Sequence, residues 1–122
     1  MRIYYYRESD GQIPVKHFLE GLSAKLRGRF FAYLTHLKEN EGKIEGIPFR
    51  KLHGYPLEEV RVKESKKLHR VIIKIRLKNS ILLLHGFTKR EGEATPKKEI
   101  EIAYKRYLTH TEQTTHSHET KR

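Results

Sequence analysis

The chain has 122 residues, no cysteine and a formal net charge of +11. This length suits one domain with a modest core, and the lack of cysteine excludes a disulfide framework and a thiolate zinc site. No apolar run approaches the roughly 18 residues that a membrane span requires, so we expect a soluble cytoplasmic protein without a membrane partner.

The N-terminal third predicts a short strand and a helical hairpin. Residues 3–6 combine the branched and aromatic side chains that strands favour. Pro14 can occupy a first helical position, and apolar residues then recur at helical spacing as far as residue 22. Ser23 predicts the N-cap of a longer helix, which ends near Gly42. Both helices have one apolar side.

Three strands follow an irregular segment. Glycine and proline interrupt residues 43–56, which disfavours a long regular element. Residues 59–63 and 69–77 alternate apolar and polar side chains, as half-buried strands do. After a tight turn at 78–80, residues 81–87 form an apolar run, which predicts a central strand covered on both faces.

The C-terminal part predicts one more helix and a tail. Thr95 as N-cap and Pro96 at the first helical position begin this helix. We expect a domain over residues 1–108 and a disordered polar tail over 109–122. The tail histidines have weak spacing for a metal site, and we expect none. The predicted fold class is α+β: a helical hairpin packed on one side of a small, mostly antiparallel sheet, with a C-terminal helix.

The predicted sheet presents a row of cations on one face. Residues 51–106 contain fifteen Lys and Arg against seven Asp and Glu, and we expect few carboxylates to neutralise the row. Ordinary surfaces mix both signs, so a phosphate backbone is the natural partner. Alternation along the strands predicts the members of the row: Arg61, Arg70, Lys74 and Arg76, with Lys89 and Arg90 where the last strand ends.

Four sequence segments together resemble one protein family. They are LxEVRV, a strand that opens HRV, the run ILLLHGFTKR, and TPKKEIEIAYKR. Their order resembles the RelE/ParE superfamily of bacterial toxins, in its HigB-like, phage-derived branch. The resemblance implies a RelE-like fold and a ribosome-dependent endoribonuclease that cuts messenger RNA. It also implies a cognate antitoxin, which we expect to be a helix-turn-helix protein. The chain would bind operator DNA only through this antitoxin.

RNA cleavage without a metal sets three chemical requirements. The 2′-hydroxyl must lose its proton, the anionic phosphorane must be stabilised, and the leaving 5′-oxygen must be protonated. Arginine suits the second task, because its planar fork of donors matches phosphate oxygens. Glu58 and Glu59 are adjacent and therefore lie on opposite strand faces, which disfavours a two-metal nuclease. We expect a metal-independent mechanism without a cofactor.

The resemblance also assigns roles to residues. Arg61 matches the arginine of a Glu-x-Arg strand, and Arg70 matches that of an aromatic-Arg pair, with His69 in place of the usual tyrosine. We interpret His69 as a packing residue. The predicted catalytic residues are Arg61, Arg70, His85, Lys89 and Arg90. The predicted RNA-binding residues are Lys51, His53, Lys63, Lys74 and Arg76.

His85 is included for its chemistry. It is the titratable group nearest the basic residues in sequence. Simple alternation places it with Leu83 and Phe87, so a core position is the alternative to proton transfer.

Two other functions are compatible with the same fold, because a fold does not fix an activity. One is a ParE-like toxin that inhibits DNA gyrase without cutting RNA. The other is an inactive relative that binds nucleic acid.

Overall fold

The computed structural model describes residues 1–76 and 79–120. Its elements in chain order are β1 (Arg2–Tyr5), α1 (Pro14–Glu20), α2 (Ala24–Glu39), β2 (Phe49–Lys51), β3 (Glu58–Glu64), β4 (Lys67–Arg76), β5 (Ser80–Arg90) and α3 (Lys97–Thr120). Within the described residues, no helix has the length and apolar character needed to cross a bilayer.

The described strands form one five-stranded sheet in the order β1-β5-β4-β3-β2. β1 runs parallel to β5, and the other neighbours are antiparallel. The predicted α+β class and the mostly antiparallel sheet are therefore confirmed. The three-residue strand β2 lies inside the segment predicted to be irregular, where it pairs with β3.

The helices pack on both faces of the sheet. α1 and α2 cover the face that carries Val60, Val71 and Leu83, here called the hairpin face. α3 covers the opposite face, here called the α3 face, which carries Ile72 and Leu82. The apolar run of β5 requires cover on both faces, and the two helical layers provide it.

A β-bulge changes the alternation in β5. Ile72 pairs with His85, while the next residue, Ile73, pairs with Leu83. Leu84 is the extra residue. As a result Leu83 packs under the hairpin, whereas His85 and Phe87 lie on the α3 face, where His85 bonds to α3 and Phe87 joins the core under it. The predicted common face of Leu83, His85 and Phe87 was therefore wrong.

The helix ends show one confirmed prediction and one difference. Ser23 caps α2, because its hydroxyl accepts a hydrogen bond from the Leu26 amide at 3.2 Å. α3 continues to Thr120, through most of the segment predicted as a disordered tail. A helix propagates beyond its packed part because each added residue completes one more backbone hydrogen bond. Lys121, Arg122 and the predicted turn residue Lys78 lie outside the described residues.

A close approach between α1 and β5 predicts a sharp effect at Gly86. A Cβ at Gly86 would overlap the ring of Phe18, whereas a Cβ at Gly28 in α2 would meet nothing within 4 Å. We expect Gly86→Ala to lower the free energy of unfolding by roughly 1–3 kcal/mol through overpacking. Gly28→Ala should raise it by up to about 1 kcal/mol through helix propensity.

Urea titrations of both variants test this prediction. Combining Gly86→Ala with Phe18→Leu should recover part of the loss, because leucine frees the space of the ring. Equal stability of Gly86→Ala and the wild type would contradict the close approach.

Candidate functional site

Two arginines lie directly opposite each other across neighbouring strands. Arg61 of β3 pairs in register with Arg70 of β4. Like charges in directly opposed positions destabilise a sheet unless something compensates them. Both side chains lie on the α3 face, where the Arg70 guanidinium carbon is 5.8 Å from the centre of the Phe87 ring.

The compensating group is a buried carboxylate. Glu59 has no exposed surface, and its Oε1 lies 3.8 Å from Nε of Arg61. Arg50 of β2, opposite Glu59 in register, adds a further positive charge. The expectation of few carboxylates on this face missed Glu59, although alternation along β3 places it two residues before Arg61 on the same side.

Arg70 is covered by the connection between β5 and α3. Its side chain is only 2 % exposed. It donates to Oγ1 of Thr95 at 2.7 Å and to the backbone carbonyl of Glu93. The Thr95 hydroxyl in turn donates to Oε2 of Glu59 at 2.8 Å. Glu59, Arg61, Arg70 and Thr95 thus form one contiguous network, called here the Glu59 cluster.

Burial dominates the titration behaviour of this cluster. Desolvation raises the pKa of Glu59, outweighing the Thr95 hydrogen bond and the nearby charges of Arg70, Arg61 and Arg50. Desolvation also lowers the pKa of Arg70, against the opposing effect of Glu59. Perturbed carboxyl groups of this kind concentrate at functional sites.

Three donors and acceptors of the cluster are buried without a hydrogen-bond partner in the described structure. They are Oε1 of Glu59 and the Nε atoms of Arg61 and Arg70. Buried polar atoms are nearly always paired, so each exception requires an explanation. Two of them, Oε1 of Glu59 and Nε of Arg61, face each other at 3.8 Å as an ion pair. The exposed remainder of the Arg61 guanidinium is the part of the cluster that a polar ligand can reach.

Two predicted lysines extend the cluster along the same face. Lys63 lies two residues beyond Arg61 in β3 and forms an ion pair with Glu91 at 2.7 Å, with both side chains exposed. Lys89 lies opposite Leu68, two residues from Arg70 in β4. This end of the α3 face is therefore strongly basic.

The remaining predicted residues lie elsewhere. Arg90 is exposed and pairs with Lys67. It follows Lys89 directly in β5, so its side chain lies on the hairpin face. Lys74 is four residues from Arg70, roughly 13 Å along β4, and its ammonium lies 5.6 Å from the Tyr107 ring centre.

Lys51, His53 and Arg76 also lie away from the cluster. Lys51 pairs with Glu58 on the hairpin face, and His53 is exposed in the β2–β3 connection. Arg76 pairs with Ser80 at the far end of β4. The predicted row of cations is therefore divided, because α3 crosses the middle of its face.

His85 is held by two charged residues. Its Nε2 lies 2.7 Å from Oε1 of Glu99, and its Nδ1 lies 3.1 Å from Nη1 of Arg106. An arginine can only donate, so Nδ1 accepts and the proton of the neutral ring lies on Nε2. Burial, with the Arg106 charge, lowers the pKa of His85 against the opposing effect of Glu99. The ring stacks 5.6 Å from Phe87, whose ring also contacts Arg70.

His69 lies on the hairpin face. It is 6 % exposed, and its Nδ1 lies 2.8 Å from Oγ1 of Thr88. Burial lowers its pKa. These contacts fit a packing residue.

Sequence reasoning missed three residues of this site. The sequence pattern presents Glu59 only as a possible metal ligand, places Arg50 in an irregular segment, and predicts Thr95 as a helix cap. α3 begins instead at Lys97, and the Thr95 hydroxyl bonds across to β3 and β4. The sequence signal for Glu59 was its period-two spacing from Arg61.

The chain matches one family model and no curated protein. The model is described as phage derived protein Gp49-like (DUF891), and it matches residues 17–108. The matched range begins in α1, ends in α3, and includes every residue of the Glu59 cluster.

The raised pKa of Glu59 predicts a pH-dependent effect of Glu59→Gln. A raised folded-state pKa contributes stability that is complete below the unfolded pKa and is lost as pH rises through the folded pKa. The side-chain amide of the introduced glutamine cannot ionise, yet its oxygen can still accept a hydrogen bond from the Thr95 hydroxyl. We therefore expect the stability of Glu59→Gln relative to the wild type to increase between about pH 4 and about pH 8.

Urea titrations at both pH values measure this difference. Glu101→Gln is the matched control, because it makes the same substitution at an exposed position of α3. A pH-dependent difference for Glu59→Gln no larger than that of the control would show that burial does not perturb the carboxyl group of Glu59.

Proposed function

Because the chain belongs to the Gp49-like family of phage-derived proteins, we propose that it is the toxin of a type II toxin–antitoxin system and cleaves messenger RNA on the ribosome. The observation that carries this proposal is the cross-strand pair Arg61 and Arg70, in which Arg70 is buried and Arg61 is partly exposed. A phosphate at the exposed part of the Arg61 guanidinium would accept its hydrogen bonds and offset the repulsion between the two guanidinium groups.

The exposed part of the cluster is suited to contact RNA. The Arg61 side chain is 28 % exposed, and the exposed Lys63 lies beside it on the same face. In the proposed reaction the 2′-hydroxyl loses its proton as its oxygen attacks phosphorus, the bond to the 5′-oxygen breaks, and the leaving 5′-oxygen takes up a proton. The net products are a 2′,3′-cyclic phosphate and a 5′-hydroxyl. Arg61 stabilises the charge of the phosphorane, and Lys63 and Lys89 neutralise the adjacent backbone.

Glu59 and Arg70, the buried charged residues of the cluster, hold Arg61 in position. Glu59 fixes the orientation of the guanidinium, and the covered Arg70 contributes its charge and anchors the β5–α3 connection. Arg90 lies on the hairpin face, so we assign it to RNA-backbone binding and not to the chemical step. The proposed mechanism uses no metal and no cofactor.

Two macromolecular partners complete the proposal. The ribosome presents the message, and its RNA would be contacted by the outlying residues Lys51, His53, Lys74 and Arg76. A cognate antitoxin would silence the toxin by covering the basic end of the α3 face.

Induction of the protein without an antitoxin tests the proposed activity in cells. Amino-acid incorporation should fall before DNA synthesis, and mapping of messenger 5′ ends should reveal new ends within translated regions. Loss of DNA supercoiling with intact messages would instead identify a gyrase inhibitor. Salt-sensitive RNA binding without new 5′ ends would identify an inactive relative.

Arg61 provides the sharpest test of the mechanism. Removing one preorganised transition-state donor typically costs about 10²- to 10³-fold in rate, and we expect Arg61→Ala to lower the single-turnover cleavage rate on purified ribosome complexes by that factor. Arg61→Lys keeps the charge but loses the bidentate fork, so it should retain a substantial defect.

Arg2→Ala is the matched control, because Arg2 is an exposed arginine on β1 at the opposite edge of the sheet. Its cleavage rate should equal that of the wild type. A folded Arg61→Ala protein that cuts at the wild-type rate would remove Arg61 from the mechanism.

A further inference from the structure

Thr95 connects the two buried charges of the cluster. Its Oγ1 accepts a hydrogen bond from Nη1 of Arg70 at 2.7 Å and donates one to Oε2 of Glu59 at 2.8 Å. A hydroxyl can donate and accept at once, which a methyl group cannot do. The same oxygen therefore bridges a guanidinium and a carboxylate that lie on neighbouring strands.

The backbone around Thr95 is fixed at several points. The Glu91 amide donates to the Lys66 carbonyl at 2.7 Å, and the Glu93 carbonyl accepts from Arg70. Lys63 forms its ion pair with Glu91. These contacts join the segment 91–96 to the strands that carry Glu59, Arg61 and Arg70, so the position of the Thr95 hydroxyl follows from the position of the strands.

A chain of contacts extends from Thr95 to the exposed arginine. Thr95 donates to one carboxylate oxygen of Glu59, and the other oxygen faces Nε of Arg61 at 3.8 Å. Glu59 has no exposed surface, so water cannot replace a lost hydrogen bond without rearrangement. The direction in which the carboxylate presents its second oxygen to Arg61 depends on the hydroxyl that holds the first.

We propose that Thr95 is a positioning residue, which ties Glu59 to Arg70 and thereby fixes the carboxylate against which Arg61 is oriented. The catalytic consequence rests on the proposed RNA cleavage. The contact of Thr95 with Glu59 is independent of that function and is measured on the protein alone.

Thr95→Val is the central variant, because valine is similar in shape and removes both hydrogen bonds. Loss of a hydrogen bond to the charged form should raise the pKa of Glu59 above its wild-type value. We expect carbon NMR titration of the Glu59 carboxyl to show this rise in Thr95→Val, and Thr95→Ser to restore the wild-type titration.

The cleavage assay separates positioning from a general loss of structure. On ribosome complexes, Thr95→Val should lower kcat roughly tenfold, the effect of one lost hydrogen bond to a charged group, and leave KM nearly unchanged because the exposed cations remain. The acid limb of its pH–rate profile should move upward together with the Glu59 titration. In a Glu59→Gln background, Thr95→Val should leave the acid limb of the pH–rate profile unchanged.

Each outcome of these experiments either supports or overturns the role of Thr95. A folded Thr95→Val protein with wild-type Glu59 titration and a wild-type acid limb would overturn it. If Thr95→Val does not fold, the Thr95 methyl resonance of the wild type is followed instead: it should titrate with the Glu59 carboxyl, and a methyl shift independent of that titration would overturn the contact. If the wild type cuts no RNA while the NMR shift occurs, the proposed function fails and the link between Thr95 and Glu59 stands.

Discussion

Glu59 is fully buried on β3, and its carboxylate compensates the opposed charges of Arg61 and Arg70. Desolvation of each buried ion costs several kcal/mol, and removing one partner of a buried ion pair typically costs about 3–5 kcal/mol. The directly opposed positions of the two arginines therefore depend on the carboxylate, which lies beside Arg61 and is bridged to Arg70 by Thr95. The exposure of Arg61, the burial of Arg70 and the course of the segment 91–96 all depend on that arrangement.

Contacts of the Glu59 cluster extend to the segment that precedes α3. Arg70 and Glu59 bind Thr95 and the Glu93 carbonyl, which lie directly before α3. The same helix covers the central part of the sheet face. The cluster thus fixes the segment that precedes α3, and α3 determines how much of the basic face stays open. Lys63 and Lys89 lie at the open end, whereas Lys74 lies under Tyr107 of the helix.

The bulge in β5 separates two ionic environments on that face. By turning His85 toward α3, it allows a second network in which the imidazole bridges Glu99 and Arg106. Arg106 also pairs with Glu8 at 3.2 Å, so this network connects the N-terminal region, β5 and α3. The Phe87 ring lies between this network and the Arg70 guanidinium. His85 stays a predicted proton-transfer group, with both ring nitrogens already engaged.

The sequence by itself determined the features that depend on local periodicity and local chemistry. Alternation identified the faces of β3 and β4, Ser23 identified the start of α2, and the apolar run of β5 identified a strand covered on both sides. Only the tertiary structure decided which helix covers which face, that Arg70 is buried, and that Thr95 serves the cluster and not the helix end. Periodicity reports which side chains share a face, but the cover over that face comes from elements distant in sequence, and a hydroxyl bonds to whichever charged group folding brings within its reach.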